Sequence, residues 1–175
     1  MTSKPASSAA LPIAHVVLRI LIVANWVSGA AIAALLFVVP NRVWILSEFH
    51  LSPSPDADRL ILGMRAIAAL GLACIPLNYL VLKRLLAIVE TVRVGDPFVA
   101  ANALRLQAIA WTLLALQLLG LVIGAIAKSV STPAHPLHLD AGFSISGWLA
   151  VLLTFLLARV FAEGTLMREE LEGTV

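Results

Sequence analysis

The sequence predicts an all-α integral membrane protein, a four-helix bundle in which helices 2 and 3 extend beyond the bilayer as a cytoplasmic hairpin. Of the 175 residues, 61% are hydrophobic and 13% are charged, whereas about 25% of an average soluble domain is charged. Four long runs contain little or no charge, and each approaches the roughly 17 to 25 residues that a spanning helix needs. These runs place the four spans of a single domain, residues 1–175, at 14–39, 60–82, 106–127 and 145–162.

The first apolar run is interpreted as a retained membrane anchor. It continues to Pro40, which makes it longer than the roughly 7 to 15 apolar residues of a secretory signal. The one cysteine, Cys74, falls in span 2, so the chain has no second thiol for an intramolecular disulfide. A dithiol redox function within one chain is therefore excluded.

The distribution of Lys and Arg predicts that both termini face the cytoplasm. With the N-terminus inside, eight basic residues fall in inner segments and three in outer loops, while Arg65 falls within span 2. An excess of Lys and Arg marks the cytoplasmic side of membrane proteins. Because these residues are assigned to topology and to lipid headgroups, the formal charge of +2 indicates no direct nucleic-acid partner.

The segment between spans 2 and 3 predicts a tight turn between two long helices. Gly95 suits the left-handed residue that ends a helix, Asp96 suits the N-cap of the next helix, and Pro97 suits its first turn. Phe98 is expected to pack back on helix 2. Apolar residues keep helical spacing well past Lys83, so helix 2 would measure roughly 50 Å and exceed the ~30 Å hydrocarbon core.

Charged and polar residues gather on this predicted hairpin and on the C-terminal tail. Asn102 and Arg105 are three positions apart and share a helix face. Complementary charge would let the acidic tail dock on the hairpin. The residues fit two interpretations, solvated helix ends or a cytoplasmic docking platform. The hairpin contributes Glu90, Arg93, Gly95, Asp96, Pro97, Phe98, Asn102 and Arg105, and the tail contributes Glu163, Gly164, Arg168, Glu169, Glu170 and Glu172.

Four polar residues lie within the predicted spans. By helical rise Arg65 is about 9 Å inside span 2. It is a functional buried charge, a side chain that snorkels to the outer headgroups, or a partner of Asp58. Asn25, Gln117 and Thr154 fall near mid-membrane in their spans and are predicted to meet in one polar cluster. Such a cluster would hold the helices together or form a substrate site.

No metal site, cofactor or catalytic residue is predicted. His135, His138 and Asp140 on one outer loop and His50 on the other have the residue types of metal ligands. A proline between the first two histidines opposes a helix that would align them, and no thiolate joins them. Haem is disfavoured because only His15 comes near a span. No Ser-His-Asp set or phosphate-binding glycine loop is visible, so the sequence indicates a protein that is not an enzyme.

Two segments resemble the signature blocks of an uncharacterised family of small bacterial four-span inner-membrane proteins, a domain of unknown function. They are VRVGDPFVAANALRLQAIAW at 92–111 and RVFAEGTLMREELEGTV at 159–175. The family pattern is Gly-x-Pro-Phe followed by Asn and Arg-Leu, then a C-terminal Phe-x-Glu-Gly, an acidic stretch and Thr-Val. The matching residues are Gly95, Pro97, Phe98, Asn102, Arg105, Leu106, Phe161, Glu163, Gly164, Glu170, Glu172, Thr174 and Val175.

The resemblance implies a multi-pass protein of the bacterial inner membrane whose genes often neighbour a small helix-turn-helix regulator of the phage-repressor type. It supplies no catalytic residues. The resulting hypothesis is a non-enzymatic signalling or sequestering partner of a cytoplasmic regulator, which would bind at residues 95–105 and 163–175. In this hypothesis Asn102 and Arg105 contact the partner, and the tail carboxylates close the site.

Two alternatives remain open at this point. The first is a small transporter or channel subunit that works as a homo-oligomer, suggested by Arg65, Asn25 and Gln117. Glycines that would allow close helix approach support it as well, and these are Gly29, Gly63, Gly71, Gly120 and Gly124. The second is an accessory subunit of a larger membrane complex.

Overall fold

Four long helices make up the described part of the chain. A computed structural model describes residues 7–38, 55–95, 97–131 and 142–172, with side chains for 10–37, 57–95, 97–131, 142–168 and 170. The helices are α1 (Ser7–Val38), α2 (Pro55–Val94), α3 (Ala100–Val130) and α4 (Ile145–Glu172). All four are long and apolar enough to cross a membrane. The prediction of an all-α protein with four spans is therefore confirmed.

Helices α2 and α3 form the predicted hairpin. With 40 and 31 residues, they rise about 60 and 46 Å, which is more than a ~30 Å hydrocarbon core requires. The excess lies at the end where the two helices are joined, because α2 continues to Val94 and α3 begins at Ala100. The predicted spans 60–82 and 106–127 fall within α2 and α3, and their boundaries stay a prediction.

The bundle is open, because each helix packs on its neighbours in the sequence. The contacts run from α1 to α2, from α2 to α3 and from α3 to α4, and among the described residues no other pair of helices is in contact. Successive helices are antiparallel, which places the start of α1, the hairpin turn and the end of α4 at the same end of the molecule. In the described part of the chain, α1 therefore packs on the bundle through α2 alone.

The contact between α1 and α2 centres on a glycine and an asparagine of α1. Asn25 donates from Nδ2 to the backbone oxygen of Ile75 at 3.0 Å. One turn further, Gly29 is buried against the same residue, since a Cβ on Gly29 would lie 3.0 Å from Cγ2 of Ile75. The hydrogen bond and the close approach of the two helices thus both involve Ile75, a combination that is typical of helix pairs in lipid.

The predicted cluster of Asn25, Gln117 and Thr154 is wrong. Asn25 is used between α1 and α2, whereas the amide of Gln117 lies against Gly147, between α3 and α4. Thr154 is exposed and donates to the oxygen of Ala150 in its own helix at 2.7 Å. These side chains are separated because α1 does not pack on α3 or α4 in the described residues.

The helix register gives a reference point for the position of Arg65. A Cβ on Gly63 would lie 2.6 Å from Cγ1 of Val130, so the antiparallel register places Arg65 level with Lys128 in the last turn of α3. From Arg65 to Arg84 helix α2 rises about 28 Å, close to the thickness of the hydrocarbon core. The exposed Arg65 is therefore level with Lys128, and its depth of about 9 Å inside span 2 stays a prediction.

The remaining predicted glycine contacts are formed only in part. Gly124 is buried within α3, but a Cβ on Gly120 would have no neighbour within 4 Å. The GxxxG spacing of these two residues therefore does not form a continuous helix contact in the described part of the chain.

Candidate functional site

The hairpin turn begins at the glycine that the sequence assigns to it. Gly95 follows the last residue of α2 with a φ of +92°, a left-handed conformation that favours glycine, and its N–H donates to the oxygen of Val92 at 3.1 Å. The predicted role of Gly95 is confirmed. At such a φ any other side chain would strain the backbone.

The predicted start of the next helix is wrong. Helix α3 begins at Ala100, with the extended Val99 as its N-cap (φ −114°, ψ 143°) and no side-chain cap. Neither Asp96 as N-cap nor Pro97 in the first turn is therefore correct, and Asp96 lies outside the described residues. The Pro97 oxygen, which precedes the helix, accepts a hydrogen bond from the Asn102 side chain at 2.8 Å.

Asn102 is the central residue of the hairpin. It is the largest side chain among those that are fully buried in the described structure. Its Nδ2 donates to Oγ1 of Thr91 at 2.7 Å and to the oxygen of Pro97. Its Oδ1 accepts from Nη1 of Arg105 at 2.8 Å. Both amide donors and one oxygen lone pair are thus satisfied within the chain, and the three contacts connect α2, the turn and α3.

Further hydrogen bonds continue this pattern along the contact between α2 and α3. Arg105 also donates to the oxygen of Ala87 in α2 at 3.4 Å. Closer to the membrane, Nη1 of Arg84 donates to Oγ1 of Thr112 at 3.2 Å, and Thr112 is buried. We refer to this set as the polar ladder: Arg84, Thr91, Asn102, Arg105 and Thr112.

The polar ladder changes the role expected for Asn102 and Arg105. The sequence predicts that both residues contact a partner. Asn102 is inaccessible, however, and both side chains bind other parts of the hairpin. Their hydrogen bonds fix α2 against α3. In the described structure they shape the surface of the hairpin, and Asn102 is not part of that surface.

The sequence prediction missed three members of the polar ladder, namely Arg84, Thr91 and Thr112. A signal for the threonines was present in the spacing. Thr91 follows Arg84 by seven positions and Thr112 follows Arg105 by seven positions, so each pair occupies one helix face. A threonine in an apolar helix is weak evidence by itself, because its hydroxyl can bond to its own helix.

The two motif blocks meet through an aromatic contact. The ring centroid of Phe98, after the turn, lies 5.2 Å from that of Phe161 in α4. Gly164 is one turn further along α4, and a Cβ there would lie 3.2 Å from Cδ1 of Phe98. Phe98 thus packs on α4, whereas the sequence predicts packing on helix 2. We refer to this contact as the aromatic clasp: Phe98, Phe161 and Gly164.

Glu163 forms an ion pair within its own helix, whereas the sequence predicts that the acidic tail docks on the hairpin through complementary charge. Its Oε1 lies 2.7 Å from Nε of Arg159 in the same helix. On the hairpin, Glu90 pairs with Arg93 at 3.2 Å and lies 3.9 Å from Nε2 of His15 in α1. These pairs neutralise charges that the sequence assigns to docking between tail and hairpin.

Several other predicted residues fall at or beyond the limits of the described chain. Glu170 is exposed on α4, while the side chains of Glu169 and Glu172 lie outside the described residues. The outer-loop residues His50, His135, His138 and Asp140 also lie outside them. Within the described ranges no group of three or more His, Cys, Asp or Glu residues is placed to hold a metal ion.

A comparison with known protein families identifies the family of this chain. Residues 45–175 match the model of a family described as a protein of unknown function, DUF2975. The chain belongs to this family. No curated protein and no solved structure is significantly similar to it. The DUF2975 match contains α2, α3 and α4, and with them the polar ladder and the aromatic clasp.

The glycine of the aromatic clasp gives a prediction for this DUF2975 chain. Gly164→Leu is expected to push Phe98 away from Phe161 and to lower the free energy of unfolding by about 1 to 2 kcal/mol. Unfolding in mixed detergent micelles measures the change. In a Phe98→Ala background the same substitution should cost little, because the clashing ring is absent. An equal cost in both backgrounds would contradict a contact between residues 98 and 164.

Proposed function

We propose that this DUF2975 protein is a non-enzymatic membrane protein that binds a soluble cytoplasmic protein with the end formed by the hairpin and α4. The observation that carries the proposal is the exposure of large apolar side chains at this end. Val94 is 79% exposed at the tip of α2, and Leu166 and Met167 on α4 are 59% and 60% exposed. Exposed apolar groups outside lipid are characteristic of interaction surfaces.

The position of these side chains relative to the bilayer supports the proposal. Val94 lies about 15 Å further along α2 than Arg84, and Arg84 is one of the basic residues that would meet the headgroups. On α4, Leu166 and Met167 follow the aromatic clasp. These three side chains would therefore project past the hydrocarbon core. The excess of Lys and Arg at this end supports a cytoplasmic position by the positive-inside rule.

The ion pairs around the apolar residues suit a protein interface. Glu90–Arg93 and Arg159–Glu163 are exposed, short-range pairs within single helices. An apolar centre with a polar rim is the usual anatomy of a protein–protein interface. In this proposal the polar ladder and the aromatic clasp hold the surface in shape, while the apolar side chains contact the partner.

We expect the partner to be a soluble protein with a complementary apolar surface. A helix-turn-helix regulator is the candidate that the family resemblance implies. Binding at the membrane would sequester such a regulator from DNA or transmit a membrane signal to it. The exposed apolar side chains support a docked protein in general, and the choice of a regulator rests on the resemblance alone.

The test is recovery of a partner with variants of the exposed residues. A tagged chain is purified from its native membrane in mild detergent, and co-purifying proteins are identified by mass spectrometry. Leu166→Glu with Met167→Glu should reduce a soluble cytoplasmic partner by about tenfold or more, since apolar contacts near an interface centre carry much of the binding energy. The identified partner is then purified and tested for direct binding.

The matched control exchanges the two residues, Leu166→Met with Met167→Leu, and keeps the surface apolar. It should retain the partner, and all variants must reach the membrane in equal amounts. A partner retained equally by the glutamate variant would contradict the proposal. Recovery of the chain alone as a homo-oligomer would also contradict it and would favour the transporter alternative.

The intramembrane polar residues give less support to the alternative of a transporter or channel subunit than the sequence suggests. Asn25 and Gln117 lie between different helix pairs, and Arg65 is level with the last turn of α3. These residues therefore line no common path in the described structure. The transporter and accessory-subunit hypotheses stay predictions, without a specific contact in their favour.

A further inference from the structure

A cleft between α3 and α4 lies beside the proposed docking surface and shares only Arg159 with its polar rim. Its volume is about 340 Å³. The residues that line it are Ala103, Leu104 and Gln107 from α3 and Phe155, Ala158, Arg159 and Ala162 from α4. The small side chains of three alanines leave room for the cleft. Two of them, Ala103 and Ala158, are buried between the helices. The cleft thus combines an apolar floor with one guanidinium and one amide.

The depth of the cleft follows from the helix register. Trp111 of α3 packs edge-on against Phe155 of α4, with ring centroids 5.2 Å apart at 87°, and Phe98 packs on Phe161. Between these two contacts the antiparallel register places Arg159 level with Arg105.

Basic residues of all four helices lie near this level. The contacts of His15 with Glu90 and of Asn25 with Ile75 align Arg19 of α1 with the Lys83–Arg84 pair of α2. Along the bundle axis these cations lie within roughly 10 Å of one another. They are Arg19, Lys83, Arg84, Arg105 and Arg159. In a bilayer this is the depth at which lipid phosphates lie.

The two ends of the cleft match the two parts of a phospholipid. Phe155 lies one turn from Arg159 toward the membrane core, and the exposed Trp111 beside it has the interfacial character of aromatic residues at the edge of the hydrocarbon. At the other end, the ion pair with Glu163 uses Nε of Arg159. The Nη1 and Nη2 edge of the guanidinium suits two parallel hydrogen bonds to a phosphate, and the amide of Gln107 supplies another donor.

We infer that this cleft binds an anionic phospholipid of the adjacent leaflet. Arg159 and Gln107 bind its phosphate, and one acyl chain begins along Ala158 and Phe155. Glu163 and the phosphate contact different edges of the guanidinium, but the two anions compete for its positive charge, so the carboxylate weakens phosphate binding. The site requires no protein partner, so lipid binding can be tested apart from the proposed docking function.

Two substitutions distinguish lipid binding by Arg159 from a purely structural ion pair with Glu163. Arg159→Gln and Glu163→Gln both remove the ion pair within α4. If Arg159 serves only that pair, the two substitutions have the same effect. If Arg159 binds phosphate, the first substitution weakens lipid binding, while the second releases the guanidinium and strengthens it.

The experiment is a titration of the full chain in detergent with phosphatidylglycerol, monitored by native mass spectrometry, beside the same titration with phosphatidylcholine. Arg159→Gln should raise the apparent Kd for phosphatidylglycerol about tenfold, the effect of losing a charge-assisted hydrogen bond. Glu163→Gln should lower the apparent Kd severalfold. Arg19→Gln removes the same charge at the same level outside the cleft and should leave binding nearly unchanged.

Two results would overturn the inference. The first is an equal loss of affinity in Arg159→Gln and Arg19→Gln, which would indicate general attraction of anionic lipid to basic residues. The second is a change of the same sign in Arg159→Gln and Glu163→Gln. Because no protein partner takes part in the titration, either result leaves the docking proposal unaffected.

Discussion

Asn102→Ala is expected to lower the free energy of unfolding by about 2 to 3 kcal/mol, the cost of leaving buried hydrogen-bonding groups without a partner. The substitution removes the donors to Thr91 and Pro97 and the acceptor for Arg105. Unfolding in mixed micelles with increasing SDS, followed by circular dichroism, measures the effect. Asn102→Asp should also be destabilising despite its similar size, because a carboxylate offers no donor to the Pro97 oxygen.

The matched control for this prediction is Arg93→Ala. Arg93 lies nearby in the hairpin, but its bond to Glu90 is exposed, so its loss should change stability by less than about 1 kcal/mol. Equal effects of Asn102→Ala and Arg93→Ala would show that the polar ladder does not stabilise the hairpin. Asn102→Ala is also a poor test of partner binding, because it would disturb the docking surface without being part of it.

Gly29→Leu is expected to separate α1 from α2 and to lower the free energy of unfolding by about 2 kcal/mol. A Cβ at this position would already lie 3.0 Å from Cγ2 of Ile75 and 3.2 Å from Cγ1, so a longer side chain must displace the helix, and overpacking of this kind typically costs about 1 to 3 kcal/mol. Hydrogen exchange should rise in α1 while α2, α3 and α4 stay protected, because α1 contacts only α2 among the described helices.

Gly120→Leu provides the control, since the same change is made in a membrane helix where a Cβ would meet no atom within 4 Å. Stability should stay within about 1 kcal/mol of the wild type, the range of the helix-propensity difference between glycine and leucine. If Gly120→Leu destabilised the chain as much as Gly29→Leu, the helix contact at Gly29 would not be the cause.

The roles of the two motif blocks differ from those that their residue types suggest. Asn, Arg and Glu on a membrane surface suggest direct recognition of a partner. In the structure Asn102 is buried, Glu163 pairs with Arg159 in its own helix, and the blocks meet through Phe98 and Gly164. The motif residues therefore shape this end of the molecule, and in the proposed function the exposed apolar side chains contact the partner.

Local composition and periodicity are enough to predict several features of this protein from its sequence. The number of helices and their approximate spans follow from runs of apolar residues, because a bilayer requires about 20 of them per crossing. The extension of helices 2 and 3 follows from apolar residues at helical spacing beyond Lys83. Gly95 follows from the steric cost of a positive φ for any residue with a Cβ. None of these features needs information about a neighbouring helix.

The rotation of each helix and its alignment against the next depend on packing between helices. These two quantities bury Asn102 between α2 and α3, direct Phe98 to α4, and separate Asn25 from Gln117. They also place Arg65 level with Lys128. In lipid nearly every face of an apolar helix is acceptable to the solvent, so hydrophobicity does not reveal which face meets another helix. Close packing at residues such as Gly29 and Gly63 makes that choice, and it becomes visible only when both helices are in place.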